Sequence, residues 1–187
     1  MIGLIFDKDS FKILSLFSRT PESGFNRSQI KEKTTMNNVP LDNALAKLLT
    51  TKILIKEGNI YRINFDNKYA KRILKIVSKQ YRDLNELPLN VYFSLIDIVD
   101  NLSSMKKIEV YLFGFYSGSD YSEKSDIDIA LLVPKKIGVK RLNKLTEKPE
   151  KNYGKKIKIH DFIKDDFYKK KSDPQVTDIL QNGIRLM

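Results

Sequence analysis

Hydrophobic residues in the first 64 positions follow helical spacing in three segments and then change to the two-residue spacing of strands. A first helix is predicted from Phe11 to Phe17, and Asn26 with Gln29 three positions later predicts the capped start of a second. A third helix, with Pro40 near its first turn, has its apolar positions at Leu41, Leu45, Leu48 and Leu49. Alternation from Leu54 to Ile63, interrupted by Gly58-Asn59, predicts a tight β-hairpin.

Two further helices are predicted after the hairpin. The segment from Lys68 to Arg82 contains no acidic residue and carries cations at three- and four-residue steps. These cations are Lys68, Arg72, Lys75, Lys79 and Arg82. Such a surface favours a phosphate-bearing partner, although an ordinary solvated helix face is an equal alternative. Pro88 begins the next helix, whose inward positions Val91, Leu95, Ile98 and Leu102 also offer a surface for a homodimer.

The pattern changes to strands from Lys107 onward. Lys107 to Phe113 is predicted as a strand, and a glycine-containing turn and an acidic strand from Ser125 to Val133 follow it. Alternation in the acidic strand places Asp126 and Asp128 on one face, where two carboxylates could hold Mg²⁺ or Mn²⁺. The alternative is a pair of surface carboxylates on an edge strand that face lysines. The apolar run after Asp128 favours a central strand and therefore the metal site.

The run LFGFYSGSDYSEKSDIDIALLV resembles the nucleotidyltransferase superfamily that includes DNA polymerase beta. Small prokaryotic and archaeal members read LFGSYARGEA…SDIDLLV. The resemblance implies a nucleoside triphosphate (NTP) substrate, a Mg²⁺ or Mn²⁺ cofactor, and catalytic, metal-binding roles for Asp126 and Asp128. The resemblance implies that Gly114 lies against the nucleotide phosphates, and Ser117, Gly118 and Ser119 of the same turn are further candidate phosphate-binding residues. The chain departs from the family pattern at Phe115, where Ser or Gly is usual, and at Gly118-Ser119, which replace Arg-Gly.

A third carboxylate usually completes the metal site of this superfamily from a later strand. The corresponding segment here runs from Gly154 to Phe162, and its two alignments place Lys158 or His160 at the position of the acid. Both residues then share the face of the site, while Asp161 points away unless a bulge turns it inward. Asp161 is therefore a further candidate metal ligand, and His160 has the alternative of an ordinary strand residue.

Three helices followed by a hairpin, from Asp9 to Asn64, resemble a winged helix. That resemblance implies a third helix in the major groove of DNA and a hairpin that flanks it. The residues predicted to contact nucleic acid are Asn38, Asn43, Lys47, Thr50, Lys56 and Arg62, together with Lys68, Arg72, Lys75 and Lys79 of the following helix. The alternative is a winged helix that serves protein contacts or dimerisation.

The fold class predicted from these patterns is α+β. Residues 1–66 are expected to form a winged helix-turn-helix domain, 67–105 a helical linker, and 106–187 a polymerase-beta-like nucleotidyltransferase domain with a mixed sheet and flanking helices. In the last region, Arg141 to Asn152 is predicted as a polar helix or loop whose length Pro149 limits. A further helix is expected before Asn182-Gly183, followed by a short apolar tail.

Composition narrows the class of protein. The chain has 187 residues, 41% of them hydrophobic, which is enough for a sizeable core. The chain has no cysteine, which excludes disulfides and thiolate metal sites, and no apolar run long enough to span a bilayer. The first six residues lack a basic leader and predict no secretory signal, so we expect a cytoplasmic protein without a membrane partner. The net charge of +11 favours polyanionic partners.

The sequence leaves three functions open. The first is metal-dependent transfer of a nucleoside monophosphate from an NTP to an acceptor hydroxyl on a protein, nucleic acid or small molecule. The second is a winged-helix DNA-binding regulator whose nucleotidyltransferase domain is catalytically degenerate, which the substitution at Phe115 favours. The third is an antitoxin-like protein that acts on a small helical toxin partner.

Overall fold

A computed structural model of the chain describes residues 7–118 and 121–187. The expectation for the first six residues and the phosphate-binding assignment of Ser119 lie outside these ranges. The described chain divides into two compact units, one within Gly3–Asp83 and the other Leu84–Met187, here called the N-terminal and C-terminal units. The segment 67–105, expected as a linker, is shared between them, with its first helix in the N-terminal unit.

The N-terminal unit contains four helices and a three-stranded antiparallel sheet of order β1-β3-β2. Its elements are α1 (Lys8–Arg19), β1 (Phe25–Asn26), α2 (Arg27–Thr34), α3 (Asn38–Thr50), β2 (Leu54–Glu57), β3 (Ile60–Ile63) and α4 (Lys68–Asp83). The predicted hairpin is confirmed with its predicted bounds. The capping box is also confirmed, because Asn26 Oδ1 accepts from Gln29 N–H and Gln29 Oε1 accepts from Asn26 N–H, both at 2.9 Å.

The core of the N-terminal unit follows the predicted apolar spacing. Fully buried residues of α1 include Phe11, Leu14 and Phe17, and α1 packs on α3 and α4. In α3 the predicted positions Leu41, Leu45 and Leu48 are buried, as are Leu74 and Val77 of α4. One face of each helix is thereby used for packing, and the opposite face of α4 is left to its cations.

The C-terminal unit is a four-stranded mixed sheet, of order β6-β5-β4-β7, with flanking helices. Its elements are α5 (Leu89–Leu102), β4 (Glu109–Phe113), β5 (Ile127–Val133), α6 (Val139–Tyr153), β6 (Ile157–Ile163), α7 (Lys164–Lys169), α8 (Pro174–Asn182) and β7 (Ile184–Arg185). A 3₁₀ turn at Gly114–Tyr116 follows β4. β5 is antiparallel to β4 and parallel to β6. Its central place, which its apolar run predicts, is confirmed.

Both faces of this sheet are covered. On one face, Phe113, Ala130 and Leu132 form a buried cluster with residues of α7 and α8, among them Phe167 and Ile179. On the other face, the alternate residues of β5 are buried, while α6 packs on β6 and α5 packs on α6. The expected apolar tail is instead the short strand β7, which pairs with β4 at Ile184 and Arg185.

The expectation that Pro149 limits the helix after β5 is wrong. α6 continues through Pro149 to Tyr153 and ends at Gly154, whose φ of +65° is typical of a helix C-cap. A proline lacks the N–H that would bond the carbonyl four residues earlier, which is that of Leu145. Here the side chain of Asn101 in α5 donates to the Leu145 carbonyl oxygen at 3.0 Å. A tertiary hydrogen bond thus satisfies the group that the proline leaves unpaired.

Candidate functional site

Asp126 and Asp128 lie at the start of the central strand β5. Asp128 is the second residue of the strand, whereas Asp126 precedes it by one position, so the expectation that both lie within the strand is wrong for Asp126. The ladder begins at Ile127, whose N–H donates to the Lys156 carbonyl at 2.8 Å. A turn closes just before it, where Ser125 N–H donates to the Ser122 carbonyl at 3.1 Å. Asp126 therefore stands between the turn and the strand.

Gly114 lies directly against Asp128. Phe113, the last residue of β4, is the register partner of Asp128, so the turn that begins at Gly114 starts beside the carboxylate. The φ of Gly114 is +70°, and a Cβ at this position would stand only 2.9 Å from Asp128 Oδ2. Both the backbone conformation and the available space favour a residue without a side chain. The position therefore brings main chain close to the acidic pair.

Two basic side chains of β6 reach the acidic pair. Lys158 is the register partner of Asp128, and its Nζ lies 2.8 Å from Oδ2 of Asp126. His160 lies further along the same face, with Nε2 at 3.8 Å from Asp128 Oδ1, which is longer than a hydrogen bond. The ring of His160 also meets Phe113 edge to face, with 5.4 Å between ring centroids. Lys158 and His160 thus share the face of the site, as both sequence alignments predict.

The two carboxyl groups have different electrostatic surroundings. The hydrogen bond from Lys158 lowers the pKa of Asp126, and the charges of Lys156 and Lys155 lower it further. Burial raises the pKa of Asp128, against the opposing charges of His160 and Lys158. The pKa of Lys158 is raised by its hydrogen bond to Asp126. Lys158 and Asp126 therefore form an ion pair at neutral pH.

The donor chemistry of the acidic pair fits one hard divalent cation. Mg²⁺ is commonly bound through one or two carboxylates, with substrate phosphates and water as its other ligands. Asp126 and Asp128 supply such a pair, with about 29% and 20% of their side chains exposed. Among the described residues, no group of three or more His, Cys, Asp or Glu side chains could hold a metal ion. The described part of the chain thus supplies two carboxylates here, one of them already paired with Lys158.

Asp161 lies apart from the acidic pair, although the sequence made it a candidate ligand. It pairs with Leu131 in the ladder, and its side chain points to the opposite face from Lys158 and His160. Its carboxylate accepts from the N–H of Ile137 at 2.8 Å and from Lys136 at 3.2 Å. β6 has no bulge that could turn Asp161 toward the site, because its register with β5 is continuous. Asp161 instead fastens the chain that follows β5.

A groove runs along β6 beside the site. It has a volume of about 590 Å³, and Lys158, His160 and Asp161 contribute to its lining. This volume lies within the usual range for small-molecule pockets. Asp126 and Asp128 are not among the lining residues. The groove therefore adjoins the acidic pair but does not contain it.

The predicted phosphate-binding turn is only partly available for donation. The hydroxyl of Ser117 donates to the Gly114 carbonyl at 2.8 Å, and the N–H of Ser117 donates to the same oxygen at 3.1 Å. Its hydroxyl proton is thus used within the turn. Of the residues that the structure describes, only the Phe115 carbonyl would lie near a Cβ at Gly118, at 4.0 Å, which leaves main chain accessible beside them. The ring of Phe115 is 59% exposed beside it.

The structure adds residues that sequence patterns did not single out. Lys155 donates to the hydroxyl of Tyr116 at 3.0 Å and to the Glu123 carbonyl, and so joins the two ends of the loop before Asp126. The ring of Tyr116 is buried and stacks on that of Tyr121, with centroids 4.8 Å apart. No local pattern predicts these contacts, because Lys155 comes from a segment more than 30 positions away.

The C-terminal unit thus combines a strand, a glycine turn against an acidic pair and a neighbouring parallel strand. Residues 94–186 match the family model of the nucleotidyltransferase domain. The mixed sheet with flanking helices in this region is consistent with the nucleotidyltransferase fold. No curated protein and no solved structure shows a significant match to the chain.

The match covers every element of the acidic site, namely β4, the glycine turn, β5 and β6. The matched region begins within α5 and ends within the last residues of the C-terminal unit. Proteins with this domain transfer a nucleoside monophosphate in general, which supports a transferase. The N-terminal unit lies outside the match.

In the N-terminal unit, most candidate contacts of α3 and the hairpin are engaged with other residues. Lys47 pairs with Asp7 at 2.7 Å, and Arg62 pairs with Glu57 at 3.4 Å. The hydroxyl of Thr50 donates to the Ala46 carbonyl within α3. Asn38 accepts from Arg27 at 3.3 Å. The other two candidates, Asn43 and Lys56, are exposed.

The cations of α4 differ from these candidates in their ion pairing. Lys68, Arg72, Lys75 and Lys79 are all exposed, and among the described residues none of the four has an ion-pair partner. Lys68 lies over the ring of Tyr69, at 5.2 Å from its centroid. Tyr69 and Ile76 are large exposed side chains of the same helix, at 58% and 47%. Within the part of the chain that the structure describes, no helix has the length and apolar character needed to cross a membrane.

Proposed function

We propose that the C-terminal unit transfers a nucleoside monophosphate from an NTP to an acceptor hydroxyl, in a reaction that depends on Mg²⁺ or Mn²⁺. The observation that carries the proposal is the close packing of Gly114 against Asp128. An ideal Cβ added to Gly114 would stand 2.9 Å from an Asp128 oxygen, so the absence of a side chain leaves main chain exposed beside that carboxylate. A polyphosphate at this corner would meet both carboxylates and backbone at once. The family match of residues 94–186 supports the reaction class.

In this proposal each residue has a separate role. Asp126 and Asp128 would hold the divalent ion against the triphosphate, where the ion would supply neutralisation of the phosphate charge. Gly114 and Gly118 allow close approach of the backbone, whose N–H groups donate to phosphate oxygens. Ser117 contributes its hydroxyl once that hydroxyl turns from the Gly114 carbonyl. Ser119 has the same proposed role from the sequence.

The bond changes are those of an in-line displacement. The acceptor oxygen forms a bond to the α-phosphorus, and the bond from that phosphorus to the bridging oxygen breaks. The electron pair leaves with pyrophosphate, and the proton of the acceptor hydroxyl passes to solvent. The protein contributes mainly position and charge, because the chemistry needs little covalent participation by side chains.

The experiment compares transfer from α-labelled ATP, with Mg²⁺ present, by the wild-type protein and by Asp126→Asn. We expect incorporation into acceptor by the wild type and a loss of at least roughly 100-fold in the variant. Asp161→Asn is the matched control, since it removes the charge of an aspartate that lies apart from the pair. Equal incorporation by wild type and Asp126→Asn would end the assignment.

A second function is favoured by the exposed cations of α4, which have no ion-pair partner within residues 7–118 and 121–187. We infer that the N-terminal unit is a winged helix that binds DNA, and that the protein is a regulator if its nucleotidyltransferase domain is inactive. The exposed charges of Arg72, Lys75 and Lys79 are suited to phosphate backbones, while Lys47 and Arg62 are already paired. The ion pair of Lys158 with Asp126 is compatible with a degenerate site.

Gel retardation of duplex DNA in rising salt, with and without NTP, separates these functions. DNA binding at physiological salt without transferase activity supports the regulator. Transfer without DNA binding supports the enzyme alone. Absence of a retarded complex even at low salt would contradict the DNA-binding function, because a phosphate-dominated interaction is strongest there.

A further inference from the structure

Lys158 forms an ion pair with Asp126, one of the two carboxylates that would hold a divalent cation in the proposed function. Its position is fixed by the sheet, because residues paired across β5 and β6 point to the same face, and Lys158 is paired with Asp128. From there its ammonium reaches Asp126 Oδ2 at 2.8 Å. The ion pair lies in the chain itself and does not depend on any ligand.

The charges around the pair reinforce this arrangement. Lys155 and Lys156, which precede β6, also lower the pKa of Asp126 through their charges. Among the described residues, three lysines and His160 thus act on the two carboxylates. A metal ion without a nucleotide would enter a site whose negative charge is already largely balanced. A triphosphate, in contrast, would be attracted by the positive charge of these side chains.

An oxygen of Asp126 cannot hold an ammonium and a divalent ion at once without placing two cations in contact. Two such charges about 4 Å apart repel appreciably even at the high dielectric of a protein surface. The ammonium is on a flexible four-carbon side chain that is about half exposed, so it can move to a new partner. Phosphate oxygens of a bound nucleotide are the partner that the proposed reaction supplies.

We propose that Lys158 is a built-in competitor of the divalent ion, which holds Asp126 in the free protein and moves to the polyphosphate when a nucleotide binds. The site would then bind a divalent ion weakly when no nucleotide is present and more tightly when the ion arrives together with a triphosphate. The move of Lys158 to the nucleotide phosphates rests on the proposed function. The competition itself concerns only the free protein and can be measured without any transfer.

The first measurement is the affinity of the protein for Mn²⁺ without nucleotide. The electron paramagnetic resonance signal of free Mn²⁺ reports how much of the ion is unbound. Lys158→Gln and Lys158→Met should bind Mn²⁺ on the order of tenfold more tightly than the wild type, because the competing charge is gone. Lys158→Arg, which keeps the charge, should bind as weakly as the wild type. The matched control is Lys156→Gln, which removes an exposed lysine that acts on Asp126 through its charge. It should shift the affinity less than about threefold.

The second measurement is the affinity for a nonhydrolysable ATP analogue in the presence of EDTA, determined by calorimetry. Here the effect should reverse, and Lys158→Gln should bind the analogue on the order of tenfold more weakly than the wild type and Lys156→Gln. A variant that binds metal more tightly and triphosphate more weakly cannot be explained by misfolding. Circular dichroism of each variant serves as a check on folding.

Two results would overturn the proposal. One is equal Mn²⁺ affinity in the wild type and in both neutral Lys158 variants. The other is an equal gain in Lys156→Gln, which would make the effect one of general charge. If the analogue binds equally to wild type and Lys158→Gln, the move to the phosphates is overturned. Transfer from labelled ATP is a separate readout. If no transfer is detected but the Lys158 variants bind Mn²⁺ more tightly, the proposed transferase activity is refuted and the competition between Lys158 and the divalent ion still stands.

Discussion

Gly114 and Asp128 lie so close together that a larger residue at position 114 would have to displace the Asp128 carboxylate. The ideal Cβ position of Gly114 is 2.9 Å from Oδ2 of Asp128, and its φ is +70°. This contact joins the end of β4 to the start of β5 and fixes where the Asp128 carboxylate can lie. The site therefore depends on a backbone conformation as much as on its two acids.

Gly114→Ala should lower transfer by roughly 100-fold or more, because the new methyl group displaces the Asp128 carboxylate from its position. The variant should also lose about 1 kcal/mol of the free energy of unfolding, since alanine is strained at positive φ. Urea unfolding and transfer from labelled ATP measure the two effects.

Gly154→Ala is the matched control. Gly154 has a similar φ of +65°, but no atom of the other described residues lies within 4 Å of its ideal Cβ position. We expect a comparable loss of unfolding free energy, again about 1 kcal/mol, with transfer near the wild-type level. If both variants lose activity equally, backbone strain alone explains the effect, and the contact with Asp128 has no special role.

Asp161→Asn should retain transfer within about threefold of the wild type, because the carboxylate of Asp161 is used by Lys136 and the Ile137 N–H. The loss of the ion pair should reduce the free energy of unfolding by about 1 kcal/mol. Transfer assays and thermal unfolding measure both quantities. A loss of transfer as large as that of Asp126→Asn would place Asp161 among the metal ligands.

Glu109 should make the stability of the protein depend on acid pH. Burial would raise its pKa, but hydrogen bonds from Lys164, Tyr168 and Tyr111 lower it from 4.5 to about 2. Because the folded pKa lies below the unfolded one, the stabilisation is fully present above pH 4.5 and is lost as the pH falls toward about 2. The shift corresponds to at most about 3 kcal/mol.

Glu109→Gln should therefore lower the free energy of unfolding by about 2 kcal/mol at pH 7 and by much less near pH 2. Chemical denaturation at a series of pH values measures the difference. Glu147→Gln, an exposed position in α6, is the control and should change little at either pH. A constant difference between wild type and Glu109→Gln from pH 7 to pH 2 would contradict the electrostatic origin.

Removal of two charges from α4 should weaken DNA binding. The double variant Lys75→Gln, Lys79→Gln should reduce affinity for duplex DNA of any sequence. It should also lower the salt-dependence slope by about 1.8, because each lysine that no longer neutralises a phosphate lowers it by about 0.9. The matched control is Lys144→Gln, Lys148→Gln, which removes two exposed lysines with the same spacing from α6. An equal reduction in both variants would show a general charge effect and would exclude α4 as the binding surface.

Local patterns were sufficient wherever neighbours in sequence make the contact. The hairpin from Leu54 to Ile63 and the capping box of Asn26 were predictable because turn residues and capping groups lie within three positions of each other. The strand β5 was recognisable from its apolar run, which also predicted its central place. The match of residues 94–186 to the nucleotidyltransferase domain supports the family resemblance read from the same residues.

Contacts between distant segments were beyond such patterns. Pro149 signals a helix end by itself, and only the hydrogen bond from Asn101 to the Leu145 carbonyl lets α6 continue. Glu109 has no unusual neighbours in sequence, yet it accepts from Tyr168, 59 positions away. These interactions depend on which elements the fold brings together.

By itself the sequence determined the elements, the acidic pair and the glycine turn, because periodicity, capping and turn chemistry act over a few residues. The tertiary structure decided which side chains meet that pair. Parallel pairing of β6 with β5 places Lys158 at Asp126, and the alternation of the strand turns Asp161 to the opposite face. Register across strands is fixed by packing of the whole sheet, and a single strand does not contain it.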